Sequence, residues 1–310
     1  MAALALPAAL SAPAVPRAPR RARPCAPRAA AASQQAKLAA LESVRDTDQA
    51  PLDRLREWVE AHGGAVHPAL RLADRASCGA RGLVAAAPLP PDAPAIAVPE
   101  ALLLTTDAGA ERLGLPPAAA AGFDALPVEL QLALLLATER ARGEASFWAP
   151  FLATLPPRPP CAWAMPAAEL DAALAGLGAR ATGGWRAAVA DAARAVAVGV
   201  ERALAAAAPR GGGALSAAEL RWALGQVASR SYGGGDALAM LPVIDLANHR
   251  AGAPTPDGWH APRGADCAAL WPPGSGLAAG EELCVQYGAA GRARALNWVL
   301  SYGFVPPDVL

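Results

Sequence analysis

The sequence predicts an α+β fold. Three observations predict it. Short apolar or alternating runs bounded by Gly and Pro lie between residues 65 and 105. A stretch near 120–228 is rich in Ala and Leu at helical spacing. A second group of strand-like runs, each ending in polar or Gly residues, follows near 229–305. Strands, then helices, then strands again describe one domain with a helical insert.

The elements follow in order. Leu52 to Ala61 is a short helix with Leu52, Leu55, Trp58 and Val59 on one face. Ala65 to Leu72 is a strand. Gly79 to Ala85, a turn at Pro90-Pro91-Asp92 and Ala95 to Pro99 read as a β-hairpin. Leu126 to Arg142 is strongly helical, with Leu130, Leu132, Leu134, Leu135 and Leu136 apolar and Glu139, Arg140 and Arg142 closing it. Residues 167–208 are helical with Gly breaks at Gly176, Gly178 and Gly183-Gly184. Gly211-Gly212-Gly213 is a loop, and no Lys-Ser/Thr follows in the register of a phosphate cradle. Ser216 and Glu219 form a capping-box pattern that starts a helix running to Ser229-Arg230. Leu241 to His249 reads as a short buried strand that runs into a loop carrying Asp245, Asn248 and His249. Gly280 to Gly288 is a strand after a Gly turn, and Asn297 to Val305 is an apolar helix ending in Tyr302-Gly303-Phe304.

Charge and cysteine usage exclude several classes. The chain carries 27 basic and 27 acidic residues. Residues 1–41 hold six of the basic ones and no acid before Glu42, so the rest has a net charge of −6. A mildly acidic body argues against nucleic-acid binding, which needs clustered Lys and Arg. No apolar run reaches the roughly 20 residues of a membrane span. Five cysteines without a close pair signal neither a disulfide framework nor a zinc site. The Ala-, Pro-, Arg- and Ser-rich, acid-free residues 1–41 have the composition of a disordered organelle transit peptide.

The order D-L-A-N-H (Asp245–His249), then G-E-E-L-x-V-x-Y-G (Gly280–Gly288), then an apolar helix ending Y-G-F resembles the C-terminal half of a SET domain. The likeness is to the plant Rubisco large-subunit methyltransferase type. The hairpin region and the Trp222…Ser229-Arg230 helix also resemble that family, whose pattern covers roughly residues 65–305. The resemblance implies a SET-domain β core of short sheets with a pseudoknotted C-terminal segment. It divides residues 52–310 into SET-N (about 65–105), a helical insert (about 120–228) and SET-C (about 229–305).

It also implies an S-adenosylmethionine-dependent protein-lysine methyltransferase. Asn248 and His249 would hold the cofactor, with Asp245 ordering their loop. Arg230 would meet the cofactor's carboxylate, since a guanidinium fork matches it in two-point geometry. The Gly79–Leu83 turn, with Gly79 and Arg81, would approach through its main chain. Ala80 stands where a second glycine is common, and Gly79 stands where some members have glutamate. Tyr287 would be the catalytic tyrosine, directing the lone pair of the attacking amine, and Tyr302 would line the lysine channel. Taken alone, each of these residues has a plainer reading: an Asx turn, a helix-end cation, packed aromatics. Glu281 and Glu282 are expected to be solvated at a strand start and are not an acid/base pair.

The implied partner is a protein substrate, such as the Rubisco large subunit or another plastid protein, met by a monomer in the chloroplast. Mitochondrion and cytosol are the alternative compartments. Relatives continue past Y-G-F into a helical substrate-gripping domain, whereas Leu310 lies six residues after Phe304. The expectation is that this C-terminal domain is absent and that methylation of peptide lysines is weak and permissive. A non-catalytic SET-fold binding protein and a protein-histidine methyltransferase remain alternative readings.

Overall fold

The structure is a computed structural model. It describes residues 27–76, 80–176, 184–208, 214–234, 237–257, 267–287, 295–306 and 309. The described residues begin with α1 (Pro27–Asp46), α2 (Ala50–Ala61), β1 (Ala65–Val66), β2 (Leu70–Ala73), β3 (Gly82–Ala85), β4 (Ile96–Pro99) and β5 (Leu104–Thr105). Helices α3 (Gly109–Arg112), α4 (Pro117–Asp124), α5 (Val128–Arg142), α6 (Ala149–Leu152), α7 (Ala167–Gly176), α8 (Gly184–Ala207) and α9 (Ala217–Arg230) follow. The last elements are β6 (Ser231–Gly234), β7 (Ala237–Met240), β8 (Asn248–His249), β9 (Cys267–Leu270), β10 (Glu282–Val285) and α10 (Ala295–Tyr302). Among the described residues, no helix is long and apolar enough to cross a membrane.

The chain divides into two compact units. The sheet unit comprises the described residues up to Leu103 and those from Leu241 to Tyr287. The helical unit comprises Leu104–Met240 and the described residues after Ala289. Strands β1–β4 from the expected SET-N stretch and β8–β10 from the expected SET-C stretch lie in the sheet unit, whereas β5, β6, β7 and α10 belong to the helical unit.

In the sheet unit, one sheet has the order β1-β4-β9 and another the order β2-β3-β10-β8. The expected β3–β4 hairpin does not form. β3 pairs antiparallel with β2 and with β10, and β4 pairs with β1 and β9. The turn at Pro91-Asp92 is present, but it links two sheets. The Pro- and Gly-rich composition marks that a turn occurs without saying which strands pair across it.

The stretch Leu241–His249, expected as a short buried strand running into a loop, is also different. Ile244 N–H donates to the Pro242 carbonyl at 2.8 Å, with Val243 at φ +68° and ψ −47°. This is a γ-turn carrying a β-branched residue in strained left-handed space. A 3₁₀ turn, Ile244–Leu246, follows it. Leu241, Val243 and Ile244 are fully buried, and that packing holds the strained turn in place.

Helix α1 overlaps the expected disordered leader. Ala40 is buried with Ala73, Ala76 and Val84. Lys37 Nζ lies 2.8 Å from Glu281 Oε1. Ser43 Oγ and Thr47 Oγ1 accept from the N–H groups of Arg75 and Asp74, just after β2. Residues from Lys37 onward therefore pack as part of this unit, because their apolar side chains and hydroxyls have partners there.

In the helical unit, α5 is buried nearly all round, as expected of a central helix. It packs on α9. Its one buried acid, Glu139, takes a hydrogen bond from Ser146 Oγ at 2.7 Å and pairs with Arg142 at 2.5 Å. The capping box of α9 forms as expected: Glu219 N–H donates to Ser216 Oγ at 3.2 Å, and Ser216 N–H donates to Glu219 Oε2 at 2.7 Å. β5, β7 and β6 form a three-stranded sheet in that order.

Candidate functional site

β10 is the spine of the site in the sheet unit. β3 flanks it antiparallel and β8 flanks it parallel, with Cys284 opposite Asn248 and Val285 opposite His249. Arg250 N–H donates to the Val285 carbonyl at 3.0 Å and extends the pairing. The sequence holds Asn248 and His249 together, and the β8–β10 ladder brings Tyr287 to them from the end of β10.

Tyr287 is tied at two points. Its main-chain N–H donates to His249 Nδ1 at 2.9 Å, and its hydroxyl donates to the Ala247 carbonyl at 2.9 Å. The first bond makes Nδ1 an acceptor, so the neutral imidazole carries its proton on Nε2. The second bond uses the hydroxyl proton and leaves the oxygen's lone pairs to accept from another group. The two rings lie 5.5 Å apart. Both residues are half-buried, as is Asn248.

Asn248 Nδ2 donates to the Arg81 carbonyl at 3.1 Å and to Glu282 Oε1 at 2.7 Å. The part of Arg81 that meets Asn248 is thus main chain. Glu282 corrects the sequence reading: it is 1 % exposed, not solvated. Glu281 is the half-exposed member of the pair. Lys37, and then the Ala278 N–H, hold its carboxyl below the usual carboxylate range. Glu281 precedes β10 and Glu282 is its first residue, so only Glu282 is carried into the buried sheet. Gly82 belongs to the same cluster. A Cβ there would lie 2.5 Å from both Asn248 Nδ2 and Glu282 Oε1. Asp245, 4 % exposed, sits in the 3₁₀ turn before β8, where its N–H donates to the Leu241 carbonyl at 3.0 Å. Gly79 lies outside the described residues.

Arg230 and Tyr302 belong to the helical unit. Arg230 is the last residue of α9 and is half-buried. Tyr302 ends α10, its ring 4.9 Å from Trp298 and 6.3 Å from Phe304. Burial, and then the Cys161 thiol, push the Tyr302 hydroxyl up to about 12. It is therefore a neutral group at ordinary pH and not a base. Cys161 is fully buried, its thiol donating to the carbonyls of Ser301 at 3.2 Å and Gly225 at 3.4 Å. Burial raises its pKa far above the usual thiol range.

Both acids are held protonated by the fold, whereas an unfolded chain ionises cysteine near 8.5 and tyrosine near 10. Their contribution to stability is complete below about pH 8.5 and is lost as pH rises toward 12, with a slope of up to about 1.4 kcal/mol per pH unit per group. Urea unfolding at pH 7.5, 9 and 10.5 should show this decline, and Cys161→Ser should flatten it. Equal slopes in the two proteins would remove Cys161 as a source.

No family model and no curated protein matches the chain. Solved structures do. The SET domain of LSMT bound to lysine and AdoHcy matches with a TM-score of 0.55 and 20% identity, over 83% of this chain and 57% of that one. Rubisco LSMT bound to AdoMet matches at 0.56 and 20%, with the same shares. Rubisco LSMT bound to sinefungin and monomethyllysine matches at 0.55 and 21%, over 83% and 56%. The fold is that of a SET domain. This chain spans less than two thirds of the length of those neighbours. In this chain the parallel β8–β10 pairing sets the D-L-A-N-H segment beside the G-E-E-L strand.

Proposed function

We propose that this chain is an S-adenosylmethionine-dependent methyltransferase acting on a side-chain nitrogen of a protein, with lysine as the acceptor. The observation that carries the reading is the Asn248–His249 strand held beside β10 with Tyr287 fixed at its end. The solved neighbours support it, being bound to AdoMet, AdoHcy, lysine or monomethyllysine. The donor set fits such a cofactor. The amide oxygen of half-buried Asn248 and the imidazole N–H of half-buried His249 suit a ligand that carries both donors and acceptors. When bound, S-adenosylmethionine supplies the methyl group.

The chain's own residues then divide the work. Asn248 and His249 bind, Asp245 orders the turn that delivers them, and Tyr287 presents hydroxyl lone pairs to orient an attacking amine. Transfer of a methyl group develops little new charge on the protein side, so positioning is the main lever. Arg230 is assigned to the cofactor carboxylate and Tyr302 to the lysine channel on the family resemblance. The substrate we favour is a plastid protein such as the Rubisco large subunit. The acid-free leader motivates chloroplast import, and we assign the chain a monomeric state.

The test is calorimetry with S-adenosylmethionine. Asn248→Ala should weaken binding by the roughly 1–3 kcal/mol of a lost buried hydrogen-bonding group. Unchanged affinity in a folded variant would remove Asn248 from the site.

A further inference from the structure

Glu282 is a buried acid that this reading does not use. It lies two residues before Cys284 on β10, so strand alternation puts both on one face of the sheet. Cys284 is the register partner of Asn248, which brings the Asn248 amide onto that face. The Nδ2 group there meets two acceptors, Glu282 Oε1 at 2.7 Å and the Arg81 carbonyl at 3.1 Å. A main-chain carbonyl only accepts, so nitrogen must be the end of the amide that faces it. Gly82 leaves room for the arrangement by having no side chain.

We propose that Glu282 is a positioning residue that locks the Asn248 amide in one of its two flip states, so that Asn248 offers a ligand its Oδ1 acceptor and no N–H. The proposal rests on the reading of Asn248 as a ligand contact and makes it more specific. The ligand group that meets this side chain must be a donor: an ammonium, an amine or a hydroxyl. A carboxylate or an unprotonated ring nitrogen would face an oxygen and be repelled. Without the acid, Nδ2 keeps a single anchor and the amide is free to tilt.

The test uses the full-length chain with Glu282→Gln, Glu282→Leu, Asn248→Ala and the Glu282→Leu/Asn248→Ala double variant. Gln keeps an acceptor oxygen at the same reach, and Leu removes it. The first readout needs no ligand. The Asn248 side-chain amide protons, assigned by their loss in Asn248→Ala, should be protected from solvent exchange in the wild type and in Glu282→Gln. They should lose protection in Glu282→Leu. Equal protection in all three would overturn the clamp.

The second readout is calorimetry with S-adenosylmethionine. Glu282→Leu should weaken binding about tenfold to a hundredfold, the scale of a lost buried hydrogen-bonding partner. Glu282→Gln should recover most of that loss. In the Asn248→Ala background, Glu282→Leu should cost almost nothing more, because the group it positions is gone. An equal loss in both backgrounds would show that Glu282 acts on the fold at large and overturn the positioning role. Protected amide protons in a wild type that binds no S-adenosylmethionine would uphold the clamp and overturn the cofactor reading alone.

Discussion

Replacing Tyr287 with phenylalanine should lower methyl transfer about a hundredfold, the scale of a misoriented reacting group, while S-adenosylmethionine affinity changes little. The geometry separates the two effects. The ring stays, so its packing 5.5 Å from His249 stays. The main-chain N–H that meets His249 Nδ1 is untouched, so the His249 tautomer and orientation are kept. Only the hydroxyl is lost, and with it the bond to the Ala247 carbonyl. That bond fixes the direction of the hydroxyl proton and hence of the lone pairs that would orient an incoming amine. A loss confined to turnover is the signature of an interaction that acts on the reaction and not on ground-state binding. Single-turnover transfer of an isotopically labelled methyl group to a lysine peptide, with calorimetry alongside, measures both quantities. Near-normal turnover would make Tyr287 a structural tie between β10 and the Ala247 turn.

The parts of this fold that were legible are those set by near neighbours in sequence. The capping box at Ser216 and Glu219 depends on residues three apart, and both of its bonds form. The helix expected over Leu126–Arg142 begins only two residues later, because apolar periodicity and terminal charges define it locally. Strand pairing was less legible. β3 takes its neighbours from β2 and from β10, some 200 residues away, and no turn residue near β3 announces that. The polar order Asp245, Asn248, His249 and Tyr287 pointed to a site; the structure bonds His249 to Tyr287 across β8 and β10 and turns the Asn248 amide to Arg81 and Glu282. Glu282 escaped for a physical reason. A carboxyl group is expected in water unless a partner is at hand, and its partner comes from a strand 34 residues upstream. Val243 escaped likewise, since Leu-Pro-Val-Ile has the composition of a strand and the γ-turn at its centre contradicts local preference.

Gly82→Ala should both destabilise the chain and weaken cofactor binding about tenfold to a hundredfold, against the expectation from backbone propensity. Gly82 lies in β3 without a left-handed backbone. Alanine at such a position ordinarily stabilises by about 0.5–1 kcal/mol through reduced freedom of the unfolded chain. Here the added carbon would stand 2.5 Å from Asn248 Nδ2, 2.5 Å from Glu282 Oε1 and 3.1 Å from the Ala76 Cβ. β3 cannot retreat, because Gly82 is paired with Ala73 on one side and the next residue, Leu83, is paired with Leu283 on the other. The amide and the carboxyl group must separate instead. Overpacking costs about 1–3 kcal/mol and a broken buried hydrogen bond a similar amount, so the net loss should be about 2–5 kcal/mol. Gly122→Ala is the matched control: it lies within α4, and a Cβ added there would meet nothing within 4 Å. That variant should be neutral or slightly more stable by denaturant midpoint. Calorimetry on Gly82→Ala at a temperature where it remains folded isolates the binding effect. Wild-type affinity there would mean that the Asn248 amide reaches its ligand without the Glu282 contact, and that the space at Gly82 serves β3 packing alone.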